Sequence, residues 1–343
     1  MKLTIDDIKK ITWGAVNITK DELGVTFHRF TETEEEIYRN LDTVRKRTDS
    51  LRVMSPAGIK LCFKTDSKSL KLNADLSFSS RRFYSFDIFV NGTLYTSLKS
   101  FNEEDLPFKY SVLDYNPGYF EGEVTLCDGE KEIVIYLPWS VRMHNFTLSL
   151  DDGAKVVPLE KPIKKLLCYG DSITQGFDAL YPHRRYAGQL ARLLDAEEFN
   201  KAIGGEVFIP ELAACKADFT PDYITVAYGT NDWFNSKKDT FTKSAKEFYH
   251  ILSRNYPNSK IFAITPIWRP NANTIRDRDV GEFSYVDEYI SFVAEELPNV
   301  ALIHGDSLVP HYTDLFADLR LHPRDAGFDF YAMNLYNEIK KYI

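Results

Sequence analysis

The chain predicts an α/β protein in two parts: an N-terminal β-sandwich, then a doubly wound α/β/α domain with a mainly parallel sheet. Three observations predict this. Residues 24–150 are a succession of short β-rich runs. From Lys164 onward, continuous apolar runs alternate with stretches of helical periodicity. Between the two, Asp151-Asp152-Gly153-Ala154 and the prolines Pro158 and Pro162 break both patterns. A chain of 343 residues is longer than one ordinary domain, and the expected boundaries are 1–155 and 162–343.

In the first part the strand-like runs are 25–30, 59–63, 69–78, 85–90, 93–97, 123–126, 132–137 and 145–150. Many alternate apolar and polar residues, as a strand with one buried face does. Asn91-Gly92 stands between two of them, a two-residue hairpin signal. Some eight strands with no clear helix between them imply a β-sandwich. In the second part 164–169, 222–228, 260–267 and 300–303 are apolar enough for strands buried on both faces. The amphipathic stretches 186–195, 240–256, 285–297 and 326–342 are the intervening helices. Sites in such a domain form at the C-terminal ends of the strands.

Acidic residues outnumber basic ones, 50 to 42, for a formal net charge of −8. This argues against a nucleic-acid partner, which needs clustered cations. The short clusters Arg45-Lys46-Arg47, Arg81-Arg82 and Arg184-Arg185 are expected on solvated faces. Cys62, Cys127, Cys168 and Cys215 lack metal-ligand spacing and are expected as buried free thiols. No run of apolar residues is long enough to span a membrane, and acidic residues near Met1 are unlike a signal peptide. The expected location is cytoplasmic.

The chemistry-bearing blocks lie at predicted strand ends. Leu166-Leu167-Cys168-Tyr169-Gly170-Asp171-Ser172 delivers a serine just after a strand. Gly204-Gly205, then Tyr228-Gly229-Thr230-Asn231-Asp232, then Leu321-His322-Pro323 follow in order. A serine hydroxyl is a poor nucleophile until a histidine takes its proton, and acyl transfer also needs donors for the developing oxyanion. Ser172 supplies the first, His322 the second. The Ser172 and Gly205 N–H groups and the Asn231 amide are candidate donors.

These blocks resemble the SGNH (GDSL) hydrolase family over about residues 162–343. The resemblance implies Ser172 as nucleophile, His322 as base, and Ser172, Gly205 and Asn231 as the oxyanion hole. It implies no cofactor and no metal. The family usually carries an Asp three residues before the histidine. Here that position is Leu319, and Asp318 lies four before. Either Asp318 completes a triad through a locally longer loop, or the site is a Ser-His dyad oriented by a backbone carbonyl. Asp128 to Pro138 resembles the N-terminal jelly-roll of two-domain carbohydrate esterases of this family. With Trp233 and Trp268 as candidate sugar-stacking residues, that resemblance implies an esterase removing acetyl groups from carbohydrates. A lipid or thioester acylhydrolase, or a glycan-binding protein on an inactive scaffold, are the alternatives. The partner is then a small-molecule or oligosaccharide ester.

Other readings are plainer. Gly170-Asp171-Ser172 alone is an ordinary strand-to-helix turn, and only its three companion blocks lift it above that. Asp171 is expected as a structural loop acid, and Asp232 as a loop anchor through backbone hydrogen bonds. His28, His144, His183, His250, His304 and His311 pair with nothing at metal-ligand spacing. Of these, His311 lies near enough to His322 in sequence to line the same cleft. No phosphate-binding or dinucleotide-binding glycine motif is present.

Overall fold

A computed structural model describes residues 1–41, 51–110, 118–275 and 277–343; Arg45-Lys46-Arg47 lie outside them. The N-terminal part is two antiparallel sheets packed face to face. One runs Thr12–Trp13, Lys60–Thr65, Lys131–Tyr136, Ser85–Val90, Thr93–Lys99, with Val157–Pro158 pairing on Lys60–Thr65. The other runs Asn17–Lys20, Val25–His28, Val141–Leu150, Ser69–Phe78, Tyr119–Thr125. Alternation does its work here: Leu70, Leu72, Ala74 and Leu76 of one sheet point into the same core as Leu61, Phe63, Ile133 and Ile135 of the other. At the predicted hairpin Val90 pairs with Thr93, and Asn91 and Gly92 both take positive φ, 49° and 79°, the sign a two-residue turn of type I′ needs.

The C-terminal part is a parallel sheet in the order Ala196–Asn200, Lys164–Gly170, Tyr223–Ala227, Lys260–Ile264, Val300–Ile303. Its first two strands by sequence are therefore reversed in space, and the reversal puts a crevice at the carboxyl end of Lys164–Gly170. Helices cover both faces. Tyr186–Leu193 and Asp325–Ile339 pack on one, Lys238–Asn255 and Ser284–Glu295 on the other, each burying its apolar stripe.

Four expectations are corrected. Helix Glu32–Asn40 interrupts the strand succession; its run of glutamates hides a capping box in which Thr31 accepts from Glu34 N–H and Glu34 reaches back to Thr31. Strand Ala196–Asn200 is fully buried although it carries Glu197 and Glu198. Glu198 is paired bidentately with Arg185 (2.9 and 3.1 Å), and Glu197 accepts from Lys161 and from the Gly14 N–H. Arg185 and Arg81 are accordingly not on solvated faces, since each is bound to a buried carboxylate. All four cysteines are free, but only Cys62 and Cys168 are buried; Cys215 is half-buried and Cys127 exposed. Among the described residues no helix is long and apolar enough to cross a membrane.

The two parts meet over an extensive polar seam. Arg29, from the sandwich side, is buried and donates to the carbonyls of Ser55 (2.6 Å), Asn200 (2.8 Å) and Ala202 (3.0 Å). Carbonyls satisfy the guanidinium without a carboxylate partner, and burial pulls its pKa down to about 10. Lys201 is bound to Glu34 and Tyr38 to Glu206, both at 2.5 Å. Because Glu34 serves both the cap and this seam, losing the cap alone is the cleaner test of the helix. Thr31→Ala should lower unfolding free energy by about 1 kcal/mol, read from the urea midpoint at unchanged slope.

Candidate active site

The strand Lys164–Gly170 ends in a glycine, and Asp171 caps the short helix Ser172–Gln175 by accepting the Ile173 N–H at 2.9 Å. Ser172 is thus at the first helical position, with its amide at the positive end of the turn. The helix stops at Gly176, φ 113°, where a Cβ would lie 2.2 Å from the Arg185 side chain. Ser172 is buried, its residue only 4% exposed.

His322 comes to it from 150 residues away. Its Nε2 lies 2.9 Å from Ser172 Oγ, and its Nδ1 lies 2.8 Å from Asp318 Oδ2. Asp318 reaches the ring from four residues upstream because Leu319 adopts φ 62°, a left-handed conformation unusual for leucine, which takes up the extra residue in the turn. The same turn aims the N–H groups of Arg320, Leu321 and His322 at Asp318 Oδ1, at 3.1, 2.8 and 3.0 Å. Burial by itself would raise the Asp318 carboxyl. The imidazole and these backbone donors outweigh it and hold the carboxyl well below the usual range. Of the two arrangements open to the sequence, the geometry is that of a triad.

Asn231 stands at the start of helix Thr230–Asn235, entered through Gly229 at φ 116°. Its Nδ2 faces the Glu206 carbonyl (3.1 Å) and Asp171 Oδ2 (3.3 Å). Gly205 takes φ 88° in the adjacent turn. The neighbouring Gly204 N–H donates to Gln175 Oε1 at 2.8 Å. Asp171 is a cap, and Asp232 Oδ1 accepts the Phe208 N–H at 3.2 Å, so both serve the loops. Burial pushes their carboxyls up, to about 6 and about 7.

Trp233 is corrected as a sugar-stacking candidate. It is 2% exposed, donates its indole N–H to the Gly281 carbonyl (2.9 Å) and packs edge-on against Phe283. Trp268 is half-buried: one face stacks on His311 at 4.7 Å and its edge meets Phe316. With Arg269 it walls a groove of about 690 Å³ whose far side carries Glu282, Asp287 and His304. Arg269 donates to Thr230 Oγ1 (3.1 Å), tying that groove to the helix that bears Asn231.

Sequence reasoning missed Asp178. It is fully buried at φ 69°, and its Oδ2 lies 3.5 Å from His322 Nδ1. Asp178, Asp318 and His322 bring three potential ligand atoms within 4.8 Å of one another. The set does not suit a cation, because Asp178 is engaged by Arg81 through both oxygens and Nδ1 by Asp318.

Comparison with known proteins follows this geometry. Residues 168–330 match the GDSL-like lipase/acylhydrolase family, and the α/β part of the chain has an SGNH-like fold. No curated protein sequence matches the chain. Among solved structures it is similar to the salicylyl-acyltransferase SsfX3 from a tetracycline biosynthetic pathway (TM-score 0.79, 19% identity, 96% of this chain and 94% of that one). It is also similar to a candidate GDSL-like lipase from Bacteroides ovatus (0.77, 18%, 99% and 97%). A family two carbohydrate esterase from Clostridium thermocellum, in complex with cellohexaose, is similar too (0.60, 17%, 84% and 95%). At these identities the likeness is one of fold, and the first two extend it over both parts of the chain.

The buried acids set a pH dependence. A carboxyl whose pKa is raised on folding keeps its proton in the native state after the unfolded chain has lost it, so stability falls as pH rises through that window. For Asp232 the window runs from its ordinary 3.8 to about 7. Asp232→Asn, which preserves an acceptor for Phe208 N–H, should flatten the decline of Tm between pH 4 and 7. An unchanged slope in thermal scans across that range would contradict the assignment.

Proposed function

We propose that the protein is a serine esterase that removes acetyl groups from acetylated carbohydrates through an acyl-enzyme. Ser172 Oγ attacks the acetyl carbonyl as its proton passes to His322 Nε2. Asp318 holds Nδ1–H and offsets the charge of the imidazolium that forms. The Ser172 and Gly205 N–H groups and the Asn231 amide receive the oxyanion. The proton on Nε2 then goes to the leaving sugar oxygen. Water, deprotonated by the same imidazole, releases acetate and restores Ser172.

The observation that carries this reading is the unbroken Ser172–His322–Asp318 relay at 2.9 and 2.8 Å. A glycan-binding protein on a dead scaffold has no use for it. The small acyl group is supported by the burial of Ser172, and the carbohydrate by the groove beside Trp268, which mixes aromatic rings with carboxylates, together with the likeness to carbohydrate esterases.

Ser172→Ala should abolish hydrolysis of p-nitrophenyl acetate, and retained turnover would overturn the mechanism. Asn231→Ala should lower kcat by about a hundred- to a thousand-fold, the usual loss for one oxyanion donor. Acetyl esters should be cleaved faster than octanoyl esters; the reverse order would favour a lipid acylhydrolase.

A further inference from the structure

His322 is held from a second side, and the hold comes from the other half of the molecule. Asp178 follows the nucleophile's helix by only three residues, yet the partner of its carboxylate is Arg81 of the β-sandwich. Arg81 Nε and Nη2 donate to Oδ1 and Oδ2 at 2.6 and 3.0 Å, a bidentate fork. The Asp178 side chain is 0% exposed and that of Arg81 20%, so the pair is formed largely out of water. Tyr110, also of the sandwich, donates to the Asp178 carbonyl at 3.0 Å. The Arg81 guanidinium lies 4.6 Å above the ring of Phe177, and Phe177 stacks on the His322 ring at 5.5 Å with 29° between planes. One arginine therefore bears on the imidazole by two routes, through a carboxylate at its Nδ1 edge and through an aromatic ring on its face.

We propose that Asp178, clamped by Arg81, is a second carboxylate that positions His322 for catalysis, and that the β-sandwich is thereby a working part of the active site. The proposal rests on the esterase reading, in which His322 is the base. Asp178 touches neither substrate nor Ser172 in this arrangement, so its role is positioning. A lone aspartate beside Asp318 would leave two anions crowding one ring nitrogen. The Arg81 fork makes the second one tolerable and fixes its distance, while its remaining field still favours the imidazolium that must form at the transition state. The other charged groups around the ring are Asp318, Asp171 behind Ser172, Arg320 at 3.5 Å from Asp318, and Arg269, whose charge reaches Asp318 and Asp171. From the N-terminal part, Arg52 also bears on this face: its guanidinium lies 5.4 Å above the same Phe177 ring.

The test is the pH profile of kcat/KM for p-nitrophenyl acetate, with kcat and KM resolved and folding checked by near-UV circular dichroism. Asp178→Asn removes an anion from the Nδ1 edge and leaves Arg81 facing the ring. The acid limb should move to lower pH by roughly one unit, and kcat should fall about ten- to a hundred-fold from loosened geometry, with KM within about two-fold. Arg81→Lys keeps the charge but loses the fork and should fall between Asp178→Asn and the unaltered protein in kcat. An unmoved acid limb with unchanged kcat in both variants overturns the proposal. Should Asp178→Asn fail to fold, Arg81→Lys decides alone, and a kcat equal to that of the unaltered protein overturns it. Nuclear magnetic resonance titration of the His322 ring, with and without Asp178→Asn, needs no turnover. A shifted ring titration in a protein whose Ser172→Ala variant still hydrolyses ester would support the clamp while refuting the esterase reading; an unshifted one would refute the clamp.

Discussion

The site depends on one turn. His322 presents Nε2 to Ser172 only because Nδ1 is tied to Asp318, and that tie exists because Leu319 accepts a left-handed backbone at φ 62°. Leucine in that region costs on the order of 1–2 kcal/mol. Three backbone N–H groups on Asp318 and the hydrogen bond with the imidazole are what the turn gains in return. Folding thus stores a small local strain at a place where the result is a fixed tautomer and a fixed ring, which is what a general base requires.

The rest of the architecture converges on the same few atoms. Gln175, one turn after Ser172, donates to Ser55, Ser80 and the Trp139 carbonyl of the sandwich and accepts the Gly204 N–H. Arg52 donates to the Gly204 carbonyl, and Tyr38 holds Glu206, which in turn accepts the Ile203 N–H at 3.0 Å. The segment 203–206, which carries the oxyanion candidate Gly205, is therefore fastened from the sandwich side while the parallel sheet supplies the strand that leads into it. The β-sandwich braces both the segment 203–206 and, through Arg81, the imidazole. Two cores that bury their own apolar faces are joined by a polar seam, and the seam passes through the candidate site.

Much of this was legible in the residues. Alternating and continuous apolar runs marked most strands and the four helices that flank the parallel sheet, because burial imposes those periods directly. Four blocks in order pointed to Ser172 and His322 as partners, although they are 150 residues apart. What escaped was whatever tertiary partners pay for. Strand Ala196–Asn200 looks too acidic for a core until Arg185 and Lys161 are placed beside it. Asp318 stood open between two arrangements because a φ value at Leu319 is not written in spacing. Asp178 gave no signal at all: its meaning comes from Arg81, 97 residues earlier. Trp233 failed the other way, since an aromatic next to a catalytic block reads alike whether it faces the cleft or the core.

The proposed mechanism requires Ser172 to be a nucleophile activated by His322. Exposure of the intact chain to a fluorophosphonate, followed by peptide mass mapping, tests that without any assumption about the natural ester. One covalent adduct is expected, on Ser172, forming far more slowly in His322→Ala. No adduct on the folded protein, or an adduct on another residue, would contradict it.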